Sequence, residues 1–176
     1  MTPEPLTYPF TLDAAAIRQL LPHRDPIAAI HSATVLAHDH YTGTACWPTN
    51  HPLLQGHFPG CPVVPGVMLL EAAAQLAGAG LLAGDPVARA LGPDHLGMLT
   101  AIRKCFFKTP VLPERTVTYD VHCRRMADTA VIVSASAQVA GKEVATMEFM
   151  VAHVPHGQLQ AYFTADQLGQ LVTAPA

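Results

Sequence analysis

Apolar and polar residues alternate most regularly in the second half of the chain. Between 116 and 124, Val117, Tyr119, Val121 and Cys123 fall on one side, and Thr116, Thr118, Asp120, His122 and Arg124 on the other. That period of two predicts a half-buried strand. Residues 131–139 repeat it, with Val131, Val133, Ala135, Ala137 and Val139 against Ser134, Ser136 and Gln138. Ala140-Gly141 predicts a turn into a further strand over 142–154. Residues 98–107 read as another strand, and 27–36 and 41–47 as two more around the polar His38-Asp39-His40. A short helix is expected over 11–21, with Thr11 as N-cap, Asp13 in the first turn and Pro22 closing it. Pro155 ends the sheet, and Thr164 is placed to cap a short terminal helix. The pattern divides the chain into a domain over 1–154 and a C-terminal tail over 155–176.

One segment breaks the alternation. Over 67–83 the large apolar residues Val67, Met68, Leu69, Leu70, Leu76, Leu81 and Leu82 mix with Ala72, Ala73, Ala74, Ala77, Gly78 and Ala79. Pro65 suits the first position of a helix there, and Gly84 and Pro86 its end. A helix apolar on every face is a buried one. One buried helix with several antiparallel strands implies an α+β fold in which the sheet wraps around the helix.

Composition narrows the function classes. Half of the 176 residues are apolar and 13% are charged, which excludes a disordered chain and fits one domain. A net charge of −3 offers no basic excess for nucleic acid or anionic lipid. Low charge also suggests a surface partly covered in an oligomer. Between 58 and 84 the only charge is Glu71, but Pro59, Pro62 and Pro65 break the first third, and Glu71 and Gln75 interrupt the rest. This reads as a core helix rather than a membrane span, which needs roughly 20 mostly apolar residues. With no secretory signal at the N-terminus, the expected location is cytoplasmic. Cys46, Cys61, Cys105 and Cys123 form no C-x-x-C pair and are expected as buried free thiols.

The chemistry concentrates in 55–75, Q-G-H-F-P-G-C-P-V-V-P-G-V-M-L-L-E-A-A-A-Q. His57 stands in a stiff bend shaped by Phe58, Pro59 and Gly60, fourteen residues before Glu71 on the apolar helix. Pro65 has no N–H, so Gly66 and Val67 are the expected free amide donors of the helix's first turn. A loop histidine or a lone glutamate is commonplace alone. Their joint spacing around a helix start suits proton removal beside a thioester carbonyl. Histidine is a base near neutral pH, and the helix N-terminus offers donors and a positive dipole end to an enolate oxygen. Glu71, desolvated among Leu and Ala, is expected to have a raised pKa and to serve as the acid for a departing hydroxyl.

This segment resembles the signature of the β-hydroxyacyl-acyl-carrier-protein dehydratases of hot-dog fold. Leu21-Pro22-His23-Arg24 is similar to their L-P-H-R, and Phe106-Phe107-Lys108-Thr109-Pro110-Val111 to their F-K-x-P-V, with similarity spanning about 12 to 153. The resemblance implies His57 and Glu71 as the catalytic pair and Gly66, with Val67, binding the thioester oxygen. It implies an obligate homodimer, alone or in a trimer of dimers, in which the histidine of one subunit faces the glutamate of the other. It implies acyl carrier protein as partner and no cofactor beyond the carrier's phosphopantetheine arm. Glutamate rather than aspartate resembles the plain dehydratase branch, not the isomerising one. The chain departs from the family at Asp25, at His31-Ser32, at Gly97-Met98, where many members carry tyrosines, and at Pro113-Glu114-Arg115, where the family has P-G-D. These departures leave fatty-acid and polyketide or polyene assembly both open. Arg103, Lys104, Lys108, Arg124 and Arg125 are candidates for a basic patch that docks the carrier.

Other readings are weaker on the residues present. His38-Asp39-His40 with His31 or His51 could be assembled into a metal site, but no H-E-x-x-H or Cys/His spacing supports one, and no metal is expected. A thioesterase on the same fold would release free acid instead. A non-catalytic scaffold subunit of a heteromeric dehydratase has no need of both His57 and Glu71.

Overall fold

In the computed structural model, which describes residues 6–173, the alternating segments pair into one antiparallel sheet around the apolar helix. The chain runs β1 (Phe10–Leu12), α1 (Ala14–Leu20), β2 (Ile30–Ala37), β3 (His40–Ala45), α2 (Gly66–Gly84) and α3 (Pro86–Leu91). It continues through β4 (His95–Phe107), β5 (Val117–Ala127), β6 (Ala130–Val139), β7 (Lys142–Pro155), α4 (His156–Leu159) and α5 (Ala165–Thr173). Strand order is β1-β2-β3-β5-β6-β7-β4, so β4 returns to a sheet edge after the long helical excursion.

The period of two is obeyed in space. Val117, Tyr119, Val121 and Cys123 of β5 are buried against α2, while Thr118, His122 and Arg124 face outward. Helix α2 is buried along most of its length, with Ala72, Ala73, Leu76, Ala77, Ala79 and Leu81 fully inside. It is long and apolar enough to cross a membrane, but the sheet already encloses it. Its small residues set how closely the sheet can approach. A Cβ placed on Gly80 would lie 2.3 Å from the ring of Tyr41, itself fully buried on β3 and donating its hydroxyl to the His38 carbonyl.

Several boundaries differ from the sequence reading, each for a local reason. Asp13, not Thr11, caps α1, its carboxylate accepting from Ala16 N–H at 2.8 Å, while Thr11 belongs to β1, paired with β2. Pro65 is the N-cap of α2 rather than its first residue. Pro86 does not only end α2. Asp85 accepts from Ala88 N–H at 2.7 Å, and Pro86 at the first helical position opens α3. The tail holds two short helices rather than one, with Leu159 and Leu168 buried. Thr164 does cap the second, receiving Gln167 N–H while Gln167 Oε1 receives Thr164 N–H. The four cysteines are free, but Cys61 is exposed and only Cys123 is fully buried. Desolvation pushes the Cys123 thiol up to about 12.

Gly80→Ala should therefore overpack the α2–β3 contact and destabilise the fold by about 1–3 kcal/mol. Urea denaturation measures this, and an unchanged midpoint would show that the two elements have slack between them.

Candidate active site

The bend that carries His57 is held by its own backbone. His57 N–H donates to Leu54 O at 3.0 Å, Val63 N–H returns to His57 O at 2.9 Å, and Cys61 N–H bonds Phe58 O at 3.0 Å. The His57–Phe58 peptide is cis, and Gly60 at φ 78° occupies a conformation that side chains resist. Val64 N–H then ties the segment to Val111 O at 2.8 Å. Within this frame the His57 ring stacks on Phe58, and Nδ1 lies 2.9 Å from the Val63 carbonyl oxygen. A carbonyl only accepts, so Nδ1 is the donor there, and in the neutral ring Nε2 is the nitrogen with the free lone pair.

Helix α2 starts three residues later. Its first bond is Met68 N–H to Pro65 O at 2.9 Å, and the Gly66 and Val67 amides have no acceptor among the described residues. Gly66 is required by packing, because a Cβ there would lie 2.7 Å from the Phe107 ring at the end of β4. Phe58, Val67 and Phe107 remain exposed around this corner, while Phe106 faces the outer side of the sheet with Asp120 and His122.

Glu71 lies more than a turn further along α2, and its surroundings correct one expectation. Its side chain is 30% exposed rather than sunk among Leu and Ala. It accepts a hydrogen bond from Gln75 Nε2 at 2.8 Å, and His23 Nε2 stands 3.5 Å away. Gln75, 3% exposed, also donates to Ile27 O at 2.8 Å and accepts from Ala29 N–H at 2.9 Å. The sequence reading passed over this glutamine. Its position four residues after Glu71, on the same helix face, was the available signal.

Glu71 opens into a cleft of about 560 Å³ that also takes in His23, Gln75, Gly97, His95 and His153. His57, Gly66 and Val67 do not line it, so within one chain the predicted residues fall in two separate places. Burial holds His23 and His153 below the ordinary histidine range. For His23 the Glu71 carboxylate opposes the shift, and for His153 the Arg125 cation adds to it.

The basic residues proposed for docking do not form one patch. Arg103, Lys104 and Lys108 lie on or beside edge strand β4. Arg124 and Arg125 lie on β5, three strand spacings or about 14 Å away. Arg125 turns inward, bonding the buried Asp85 carboxylate and the Asp128 carbonyl. Arg103 pairs with Glu148, and Lys108 with Glu143. The histidines regroup as well. His31 bonds the Cys46 carbonyl and His51 the Pro26 carbonyl. His40, Asp120 and His122 meet on the outer sheet face with donor atoms within 4.8 Å.

A sheet rolled around one apolar helix, with a histidine bend before that helix and a carboxylate on it, defines a hot-dog protein. Residues 22–148 match the family model described as FabA-like domain, and the chain belongs to that family. A 3-hydroxyacyl-[acyl-carrier-protein] dehydratase FabZ of Halorhodospira halophila is 36% identical over 137 residues, covering 77% of this chain and 88% of the relative. The FabZ of Streptococcus thermophilus is 33% identical over 139 residues, covering 77% and 93%. Among solved structures, the dehydratase heterocomplex ApeI:P from Xenorhabdus doucetiae superposes with a TM-score of 0.67 at 15% identity, covering 82% and 95%. The fluoroacetyl-CoA thioesterase FlK superposes at 0.57 with 17% identity, covering 71% and 92%. At such identities the solved structures show the shared fold alone.

The depressed histidines fix the sign of a pH effect. Unfolded, they take up protons near the ordinary value of 6.5, before the folded chain does. Stability is therefore complete above about pH 7 and falls as the pH drops through and below that value. Urea midpoints across a pH series measure it, His153→Gln should flatten the fall, and a midpoint that rises on acidification would contradict the burial of these rings.

Proposed function

We propose that the protein dehydrates a 3-hydroxyacyl thioester carried on acyl carrier protein, giving a trans-2-enoyl thioester and water. The named activity of the FabZ relatives over most of the chain supports the reaction. In this reading His57 Nε2 takes the α-proton, and the amides of Gly66 and Val67, at the positive end of α2, hold the enolate oxygen. Glu71 gives a proton to the departing hydroxyl, Gln75 fixes its orientation, and Phe58, Pro59, Gly60 and Pro65 hold the bend in shape. The C–H bond's electrons form the new double bond as the C–O bond breaks, so no redox partner is required. The acyl group arrives on the carrier's phosphopantetheine arm, and no cofactor enters. Arg103, Lys104 and Lys108 beside β4 are the nearer candidates for carrier contact. The compartment is read as cytoplasmic.

One observation carries the two-subunit form of this reading. Edge strand β4 is thirteen residues long, pairs among the described residues with β7 alone, and exposes Met98, Leu99, Ile102, Phe106 and Phe107. Edges of that length and apolarity invite pairing with another chain. The start of β4, through His95, Leu96, Gly97 and Leu99, lines the Glu71 cleft, and its end, through Phe107, packs on Gly66 beside the His57 bend. Two copies of β4 paired antiparallel about a two-fold axis set the start of one beside the end of the other. Each Glu71 cleft then meets the other subunit's His57 and Gly66. The homodimer is the minimal unit, and a trimer of dimers keeps the same pairing.

His57→Ala and Glu71→Gln should each lower turnover by about 10²–10⁴-fold, read as loss of one water from the carrier-bound acyl chain by mass spectrometry. Mixing the two inactive variants through unfolding and refolding should restore about one quarter of wild-type activity, since half of random dimers are mixed and each has one intact site. No recovery on mixing would place both residues in a single-chain site. Release of free acid would instead identify a thioesterase.

A further inference from the structure

The Glu71 cleft is not uniformly apolar. Along α2 it follows Glu71, Ala74, Gln75, Gly78 and Leu82, a stripe about 16 Å long. Its apolar lining comes from Leu82, Leu96, Leu99 and Val151. Toward the C-terminal end of α2, where Asp85 and Arg125 pair, it receives His95 at the start of β4 and His153 on β7. His153 is 3% exposed, and its Nδ1 is buried with no hydrogen-bond partner, as is Nδ1 of His95. Gly97 is the cross-strand partner of His153 and has no side chain to cover the Cδ2–Nε2 edge of the ring; even a Cβ there would stand 4.0 Å from that edge.

Buried imidazole nitrogens without partners are costly, and packing alone gives no reason for two of them to share the end of one cleft. We infer that His95 and His153 form a polar subsite that binds a hydroxyl group at the far end of the substrate's acyl chain. The thioester end stays at Glu71. The deepening rests on the dehydratase reading for the identity of the chain. A neutral imidazole offers one donor and one acceptor, and a hydroxyl both accepts and donates. A carboxylate has no donor to give an imidazole nitrogen, and the Arg125 charge is already matched by Asp85. Although Arg89 of α3 also lines the cleft, the preference for a hydroxyl rests on the two imidazoles alone. A terminal methyl would leave both imidazoles unpaired.

Saturated acyl-pantetheine thioesters, which lack the 3-hydroxyl and cannot react, separate this inference from the chemistry. Two ligands of equal chain length, one ending in a hydroxyl and one in a methyl, are titrated into the wild-type protein by calorimetry. Two neutral hydrogen bonds should favour the terminal hydroxyl by about tenfold or more. The ratio should fall toward one in His153→Leu and in His95→Leu, the second altering a half-buried residue and so keeping the test open if the first variant misfolds. Equal affinity, a preference for the methyl, or a preference untouched by either substitution overturns the subsite. Turnover of the matching 3-hydroxyacyl carrier substrates reports separately on the dehydratase reading. Water loss without a terminal-group preference sinks only the subsite, and a hydroxyl preference in binding without water loss sinks only the reaction.

Discussion

Beyond its first turn, helix α2 leaves water little more than the narrow stripe that lines the cleft. The sheet closes over it from β2 round to β4, and contact distances are set by alanines and glycines, so the helix cannot shift without displacing a strand. Everything polar on α2 must then be satisfied locally or face a cleft. Glu71 does both: it opens into the cleft and takes a hydrogen bond from Gln75. Gln75 in turn uses its remaining amide groups on the backbone of the segment before β2. The carboxylate is thus referenced to the core through one glutamine. Such fixed orientation is what acid–base chemistry requires of a side chain.

The second of the two places is built by the opposite means. The His57 bend is Pro- and Gly-rich and draws its rigidity from short backbone bonds, not from burial. Its histidine is oriented by Val63, six residues on. Bend and helix start meet the end of β4 through Phe107 against Gly66, and the cleft meets the start of the same strand. One edge strand therefore indexes both places. That economy is what lets the proposed pairing of two β4 strands bring a bend and a cleft together.

Legibility in the sequence followed the range of the interaction. Strands such as Val117–Ala127 were readable because alternation is a property of neighbouring residues, and α2 because nineteen residues carry its apolar character. The His57 bend and the start of α2 were readable through a local motif, whereas the distance between His57 and the Glu71 cleft was not. Helix α3 was not, since a proline after a helix reads as a stop until Asp85 is seen capping the next one. The Gln75 contacts reach back 46 and 48 residues, and the meeting of His40 with Asp120 spans 80. No spacing rule connects such positions; only strand pairing does. The expected burial of Glu71 failed for a related reason. Helix periodicity shows that a face is apolar around a residue, but not that a cleft opens in front of it.

On the proposed reading, the two ends of α2 divide the work that a substrate demands. Near its start lie Glu71 and the positive dipole end, both suited to breaking a C–O bond beside a thioester. Near its finish, Asp85 caps α3 and pairs with Arg125, and these contacts fix where β7 can place His153. A change at the finish can alter which chain fits without touching the groups that react, because some dozen residues of close-packed helix stand between them. Specificity in this fold can therefore drift at one end of the helix while the chemistry at the other stays unchanged.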